Sequence, residues 1–262
     1  VSEFAGLPTY AQAPPGNISF SENIGFLSQS KPDANAAFWI TAHEAAHQWW
    51  PNMAMVADGP GTQVLSEGLA HFSTILLCEQ VRGLEQRMAF CRQIEDRYAQ
   101  RRVKDSERPL VKLDGALPAD DRIIYDKGGF ALWMLHRSLG REAGLAALRE
   151  YLGQFRDSRD HASLEDYLAV MRRHAPDTTA FDSLAGQWFR QVVVPEYKID
   201  DASVTKSGAG WTVTATVRNT GTSTMPIEVA AVRGERFPHG KPRTERYADA
   251  RGVITLGPNQ SK

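Results

Sequence analysis

Phe38-Trp39-Ile40-Thr41-Ala42-His43-Glu44-Ala45-Ala46-His47-Gln48-Trp49-Trp50 is the stretch on which the reading of the chain turns. Phe38, Ala42, Ala45, Ala46 and Trp49 recur at helical spacing and Pro51 marks a stop, so a helix is predicted from Ala34 to about Trp50. Within it His43 and His47 stand four residues apart. That spacing puts both imidazoles on one helix face, with Cβ atoms about 5–6 Å apart, where they can converge on one ion. Glu44 lies beside that face. A carboxylate there can take a proton from a water whose pKa zinc has lowered to around 7. The pentapeptide arises by chance in roughly one chain in a hundred of this size, so a further ligand is needed to decide between a metal site and two incidental histidines.

A catalytic zinc takes three protein ligands and keeps one open position. The turn signal Asp58-Gly59-Pro60-Gly61 precedes a second predicted helix, from about Val64 to Val81, and Glu67 lies in its first turn. Two antiparallel helices would bring Glu67 to the histidines. The helix dipole also favours a glutamate at that place, but beside the paired histidines the ligand reading prevails. One Zn2+ ion on His43, His47 and Glu67 is the expectation. His71, four residues beyond Glu67, reads as a packing or surface residue, with a place behind the metal as the alternative.

Outward from this core the pattern stays helical. Helices are predicted at about Leu84–Arg102, Asp126–Leu139 with Gly140 as the stop, Glu142–Phe155, Ser163–Arg173 and Thr179–Gln191. Residues 1–32 read as loop with short extended pieces such as Asn17–Phe20, and 104–122 as loop. After Pro195 the period changes. Trp211, Val213, Ala215 and Val217 alternate with polar residues, which predicts a half-buried strand; Ile227–Val232 and Gly252–Leu256 are further strand candidates. The fold class expected is mainly α with a β-domain, divided as residues 1–198 and 199–262. The 262 residues are 42% hydrophobic with a formal net charge of -1, enough for a sizeable core and without the basic excess that nucleic acid would call for. No apolar stretch approaches the roughly 20 residues of a membrane span. Cys78 and Cys91 read as two buried free thiols rather than a disulfide framework. Residue 1 is Val and no signal peptide is visible, so the sequence reads as a piece of a longer protein.

These residues resemble the gluzincin metallopeptidases related to aminopeptidase N. That family pairs the two histidines with a glutamate in an Asn-Glu-Gly motif, usually after eighteen intervening residues. Here nineteen, Gln48–Ser66, intervene, and Ser66 stands in place of the asparagine. His47-Gln48-Trp49-Trp50 is similar to the family's continuation. Ser21-Glu22-Asn23-Ile24-Gly25 resembles its exopeptidase motif at Glu22, Asn23 and Gly25, while Ser19, Phe20 and Ser21 depart from it. Ile124-Tyr125-Asp126-Lys127-Gly128 resembles the segment with the family's catalytic tyrosine, and Gln187-Trp188-Phe189 with Pro195-Glu196-Tyr197 the end of its catalytic domain.

The resemblance implies the helical part of a thermolysin-like catalytic domain, its β-rich front half lying before residue 1, followed by a partial β-sandwich. It implies a zinc aminopeptidase acting on peptide substrates. Glu44 would be the base, Tyr125 the oxyanion donor, and Glu22 with Asn23 and Gly25 the holder of the peptide's free amine. Related domains occur fused to bacterial permease-like membrane proteins, which implies a membrane-anchored parent protein and a bacterial membrane location. A zinc endopeptidase and a catalytically silent peptide-binding or regulatory domain are the alternatives. Retention of His43, Glu44, His47, Glu67 and Tyr125 together argues against loss of the chemistry.

Overall fold

A computed structural model describes residues 1–6, 10–25, 35–102, 107–117, 119–236 and 246–262. Ala34, where the first helix was expected to begin, and parts of the two predicted loops, 7–9, 26–32, 104–106 and 118, lie outside the described residues. The chain divides into two compact units, Val1–Gln191 and Val192–Lys262.

The first unit opens with three short strands, β1 (Ser2–Phe4), β2 (Ala11–Gln12) and β3 (Ser19–Ser21), in the order β1-β3-β2. The one-turn helix α1 (Glu22–Gly25) follows directly. Next comes α2 (Ala36–Ala46), started by Asn35, whose side chain accepts the Phe38 N–H at 3.0 Å. The helix ends four residues before the predicted Trp50. Proline disfavours the helical conformation in the residue before it, and the chain leaves α2 through tight turns over 47–53. Trp50 is then pinned from the other side, its indole N–H donating to Ser73 Oγ at 3.0 Å.

The second predicted helix is present but not uniform. A wide π-helical segment, Val64–Gly68, runs into α3 (Leu69–Leu77) and then a second π-helical turn, Cys78–Arg82. Gly83, at φ +86°, separates this from α4 (Leu84–Arg101). After a short 3₁₀ turn at Leu110–Lys112 and the one-turn α5 (Asp120–Arg122), another π-helical segment, Ile123–Gly128, leads into α6 (Gly129–Leu139). Helices α7 (Arg141–Phe155), α8 (Leu164–Arg173) and α9 (Thr178–Arg190) complete the unit. Ser163 and Asp166 form a reciprocal capping box at the start of α8.

Helix α3 is the centre of this unit. Leu69, Ala70, Phe72 and Ile75 are fully buried, and each large side chain among them contributes about 1.5–3 kcal/mol by leaving water. On one side Ile75 and Cys78 pack with Trp39 of α2 and Phe90, Cys91 and Ile94 of α4. Both cysteines are free and buried, as expected from the sequence. On another side α3 meets α6 at a glycine contact. A Cβ on Gly129 would stand 2.5 Å from His71 Cβ and 3.3 Å from the Gly68 carbonyl. Absence of a side chain there lets the two π-helical segments run side by side.

In the second unit, β4 (Tyr197–Ser207) pairs antiparallel with β5 (Gly210–Asn219), and β6 (Met225–Arg233) with β7 (Ala248–Leu256). The unit begins before residue 199 because Val194 and Glu196 already bond to 220–222, Thr222 N–H donating to the Val194 carbonyl at 2.9 Å. The predicted half-burial of β5 holds only at its end: Val217 and Asn219 are buried, while Trp211 is 62% exposed. Strand β4 was not predicted. Its Asp200, Asp201, Lys206 and exposed Val204 present no buried alternation to read. Among the described residues, no helix is long and apolar enough to cross a membrane.

Candidate metal centre

Helix α2 places His43 and His47 one turn apart, and the π-helical segment Val64–Gly68 places Glu67 opposite them. Glu67 Oε2 lies 3.1 Å from His43 Nε2 and 3.2 Å from His47 Nε2, and the two Nε2 atoms are 3.1 Å apart. All three donor atoms fall within 4.8 Å of one another. The set is the two-imidazole, one-carboxylate combination that suits a catalytic zinc. The tautomer of His47 fits as well. Its Nδ1 faces the Trp50 carbonyl at 2.7 Å; a carbonyl only accepts, so Nδ1 carries the proton and Nε2 is the metal-facing atom. The early end of α2 is what brings that carbonyl around.

Electrostatics agree with a cation-binding role. Burial alone would raise the Glu67 carboxyl, yet the hydrogen bonds and charges of His43 and His47 hold it well below the usual carboxylate range. Glu44 is buried beside them, and burial pushes its carboxyl up to about 7, with the Glu67 charge adding to the rise and His47 opposing it. A buried group poised near neutrality can both accept and return a proton.

Tyr125 comes from the π-helical segment Ile123–Gly128 and stacks on His43, ring centroids 5.6 Å apart and planes 18° apart. Burial, then the nearby Glu67 charge and a hydrogen bond to that carboxylate, raise its phenol far above the ordinary value, so it stays a neutral donor. Two residues on, Lys127 makes a buried ion pair with Glu107 at 2.5 Å. Glu107 also pairs with Arg102 at 2.8 Å, whereas Lys127 without Glu107 would be left a buried charge lacking its partner, so the pair fastens the Tyr125 segment in place. Glu67 and Tyr125 thus both sit on π-helical segments, a feature frequent at functional sites.

These groups face a cavity of about 660 Å³, lined also by Tyr10, Gln12, Ile24, Trp39, Phe90 and Arg122. The model for the Peptidase family M1 domain matches residues 18–188, well over half of the chain. The chain belongs to peptidase family M1. Within that family, an aminopeptidase N of Haemonchus contortus is 28% identical over 179 residues, which is 63% of this chain and 18% of that protein. An M1 zinc metallopeptidase from Deinococcus radiodurans has a similar fold, with a TM-score of 0.55 at 19% identity over 74% of this chain and 40% of that one. A mutant of the same bacterial enzyme bound to a Tyr-Ser-Ala substrate gives a TM-score of 0.54 at 20% identity, with the same coverage. The chain therefore spans less than half the length of these M1 relatives.

The structure brings His43, Glu44, His47, Glu67 and Tyr125 together around one cavity. It places Glu22 and Asn23 half-buried in α1 and ends that helix at Gly25. The Glu22 carboxylate accepts the Gly6 N–H at 3.5 Å, and Glu22 is not among the cavity's described lining residues, whereas Ile24 of the same turn is. Three further groups stand behind His43. His71 Nδ1 lies 2.9 Å from His43 Nδ1; Arg97 Nη2 lies 2.9 Å from His71 Nε2 and 2.5 Å from Asp126 Oδ1. His71 is buried rather than at the surface, and its spacing from Glu67 was the signal for that. Arg97 and Asp126 gave none: Arg97 follows Glu95 and Asp96 in what reads as a solvated charge run.

Proposed function

We propose that this domain is the zinc-binding part of an aminopeptidase that hydrolyses the N-terminal peptide bond of its substrates. The observation that carries it is the convergence of two imidazole nitrogens and a carboxylate beside a buried glutamate raised to about 7. Zinc held by His43, His47 and Glu67 would supply a Lewis acid for the scissile carbonyl and an acidified water. Glu44 takes the proton of the attacking water and returns it to the leaving amine. Tyr125, always neutral, donates a hydrogen bond to the oxyanion of the tetrahedral intermediate. Glu22, with Asn23 and Gly25, would hold the free α-amine, the role that their resemblance to the family's exopeptidase motif implies; the name of the aminopeptidase N relative supports the exopeptidase reading as a whole.

Glu44→Gln tests the chemistry. The variant should bind zinc as wild type does and lose peptide hydrolysis by at least the 10²–10⁴-fold that general acid–base catalysis contributes. Cleavage at the wild-type rate would show that Glu44 is not the base. One observation favours a second reading, a zinc endopeptidase: the Glu22 carboxylate is turned to Gly6 rather than lining the cavity. An endopeptidase would cleave acetylated and free peptides equally well.

A further inference from the structure

A second cavity, of about 530 Å³, shares none of its described lining residues with the metal cavity. Leu76 and Leu77 line it from the end of α3, Trp133 from α6 and Leu145 from α7, so its walls are largely apolar. Three basic side chains also reach it, and the fold leaves each of them incompletely partnered. His136 is 5% exposed, and it makes no hydrogen bond among the described residues. Its Nδ1 is enclosed against α7, where a Cβ on Gly144 would stand 2.3 Å away, so Nε2 is the nitrogen left for a ligand. Neither Arg137 nor Arg141 has a carboxylate partner among the described residues: Arg137 lies 5.8 Å from the Trp133 ring centroid, and Arg141 Nη2 donates to Gln80 Oε1 at 2.9 Å. The one acid among the described lining residues, Glu79, is taken by Arg87 at 3.1 Å.

A basic residue in the last turn of a helix is ordinary, because the helix dipole favours it there, and that accounts for Arg137 on α6. It does not account for Arg141. Arg141 opens α7, where the same dipole disfavours a cation, and Gly140 before it, at φ +83°, has no side chain to cap the first N–H groups. Glu142, exposed on the same turn, does not line the cavity. Burial, and after it the charges of Arg137 and Arg141, hold the His136 imidazole below its ordinary pKa. Both guanidiniums therefore stand near enough to the ring to act on one ligand with it. An anion in the cavity would satisfy the two guanidiniums, the imidazole and the start of α7 together.

We propose that this cavity is a second binding site, separate from the metal centre, for a small carboxylic acid with an apolar body. The carboxylate meets Arg141, Arg137 and the His136 Nε2–H, which a neutral imidazole can donate. The hydrocarbon part lies along Leu76, Leu77 and Leu145. Apolar walls with a few convergent polar groups at one end suit such a ligand better than a free inorganic anion, which would leave those walls uncovered. The volume lies within the range of small-molecule sites.

The test is titration of the histidine-labelled chain with hydrocinnamate, its uncharged amide and inorganic phosphate, following the imidazoles by ¹H–¹⁵N NMR. The His136 signal is assigned by its loss in His136→Gln. Hydrocinnamate should shift the His136 ring saturably, and neither the amide nor phosphate should do so. Arg137→Gln and Arg141→Gln replace exposed side chains, and circular dichroism checks that each variant keeps its helices. Each should weaken hydrocinnamate binding about fivefold, the upper end for a solvent-accessible charge pair, and the double variant should lose the saturable shift. An amide that binds as tightly as the acid would leave an apolar pocket without an anion site, and phosphate that binds as tightly would leave an anion site that does not read the tail. Either result overturns the proposal. So does hydrocinnamate that moves only the His43 and His47 rings, which would place it in the metal cavity, or an affinity that the double variant leaves unchanged. The readout needs neither metal nor peptide cleavage, so its outcome is independent of the proposed function.

Discussion

The metal centre and the turn Glu22–Gly25 each carry a glutamate of one helical unit, and the two are held very differently. Glu67 is fixed by two imidazoles within 3.2 Å and by Tyr125. Glu22 has one backbone N–H at 3.5 Å, from a residue in the N-terminal segment. The first group is positioned by elements that are themselves buried on several sides; the second by a single helical turn directly after a short strand. On the proposed function, chemistry at the metal would depend on the buried helices, and the choice of which peptide bond is cut on a weakly braced segment. Substitutions in the two regions should separate these properties.

The largest effect belongs to His47→Ala. It removes a ligand and one of the two imidazoles that hold the Glu67 carboxylate, and should abolish both stoichiometric zinc binding and hydrolysis, measured by metal analysis and peptide cleavage. A variant that kept zinc would place the metal elsewhere. Next is Tyr125→Phe, which deletes only the phenol hydroxyl. Zinc content should be unchanged while kcat falls on the order of 10²–10³-fold, the usual cost of one oxyanion donor. An unchanged kcat would make Tyr125 a packing partner of His43 and nothing more. The smallest effect is that of Glu22→Ala. It should leave zinc and acetylated-peptide cleavage alone and weaken cleavage of free peptides by roughly 30-fold, about 2 kcal/mol for one partner of a partly desolvated charge pair. Equal loss on both substrates would break the comparison and favour the endopeptidase reading.

How much of this was legible in the sequence follows from the range over which each feature is determined. His43, Glu44 and His47 obey a four-residue helical period, and Glu67 required only that the next helix run antiparallel. The helices themselves were readable because their apolar faces are continuous, as in α8 with Leu164, Tyr167, Leu168 and Met171 buried. The end of α2 was misplaced because local periodicity extends to Trp49 while Pro51 acts backward on the conformation of the residue before it. Strand β4 was missed because its side chains are mostly exposed and carry no alternating burial. Behind His43, only His71 gave a signal, by its spacing from Glu67; its joining with Arg97 and Asp126 was out of reach for another reason. His71, Arg97 and Asp126 come from three separate elements, and each taken alone is an ordinary helix residue.

Zinc-edge X-ray absorption on the chain loaded with one equivalent of zinc, alongside the Glu67→Ala variant, tests the central claim most directly. The account predicts two imidazole nitrogens at about 2.0–2.1 Å and a carboxylate oxygen at about 2.0–2.2 Å in a four-coordinate shell, with the imidazole scattering retained and the carboxylate contribution lost in Glu67→Ala. A wild-type spectrum with fewer than two imidazoles, or one that Glu67→Ala leaves unaltered, would contradict it.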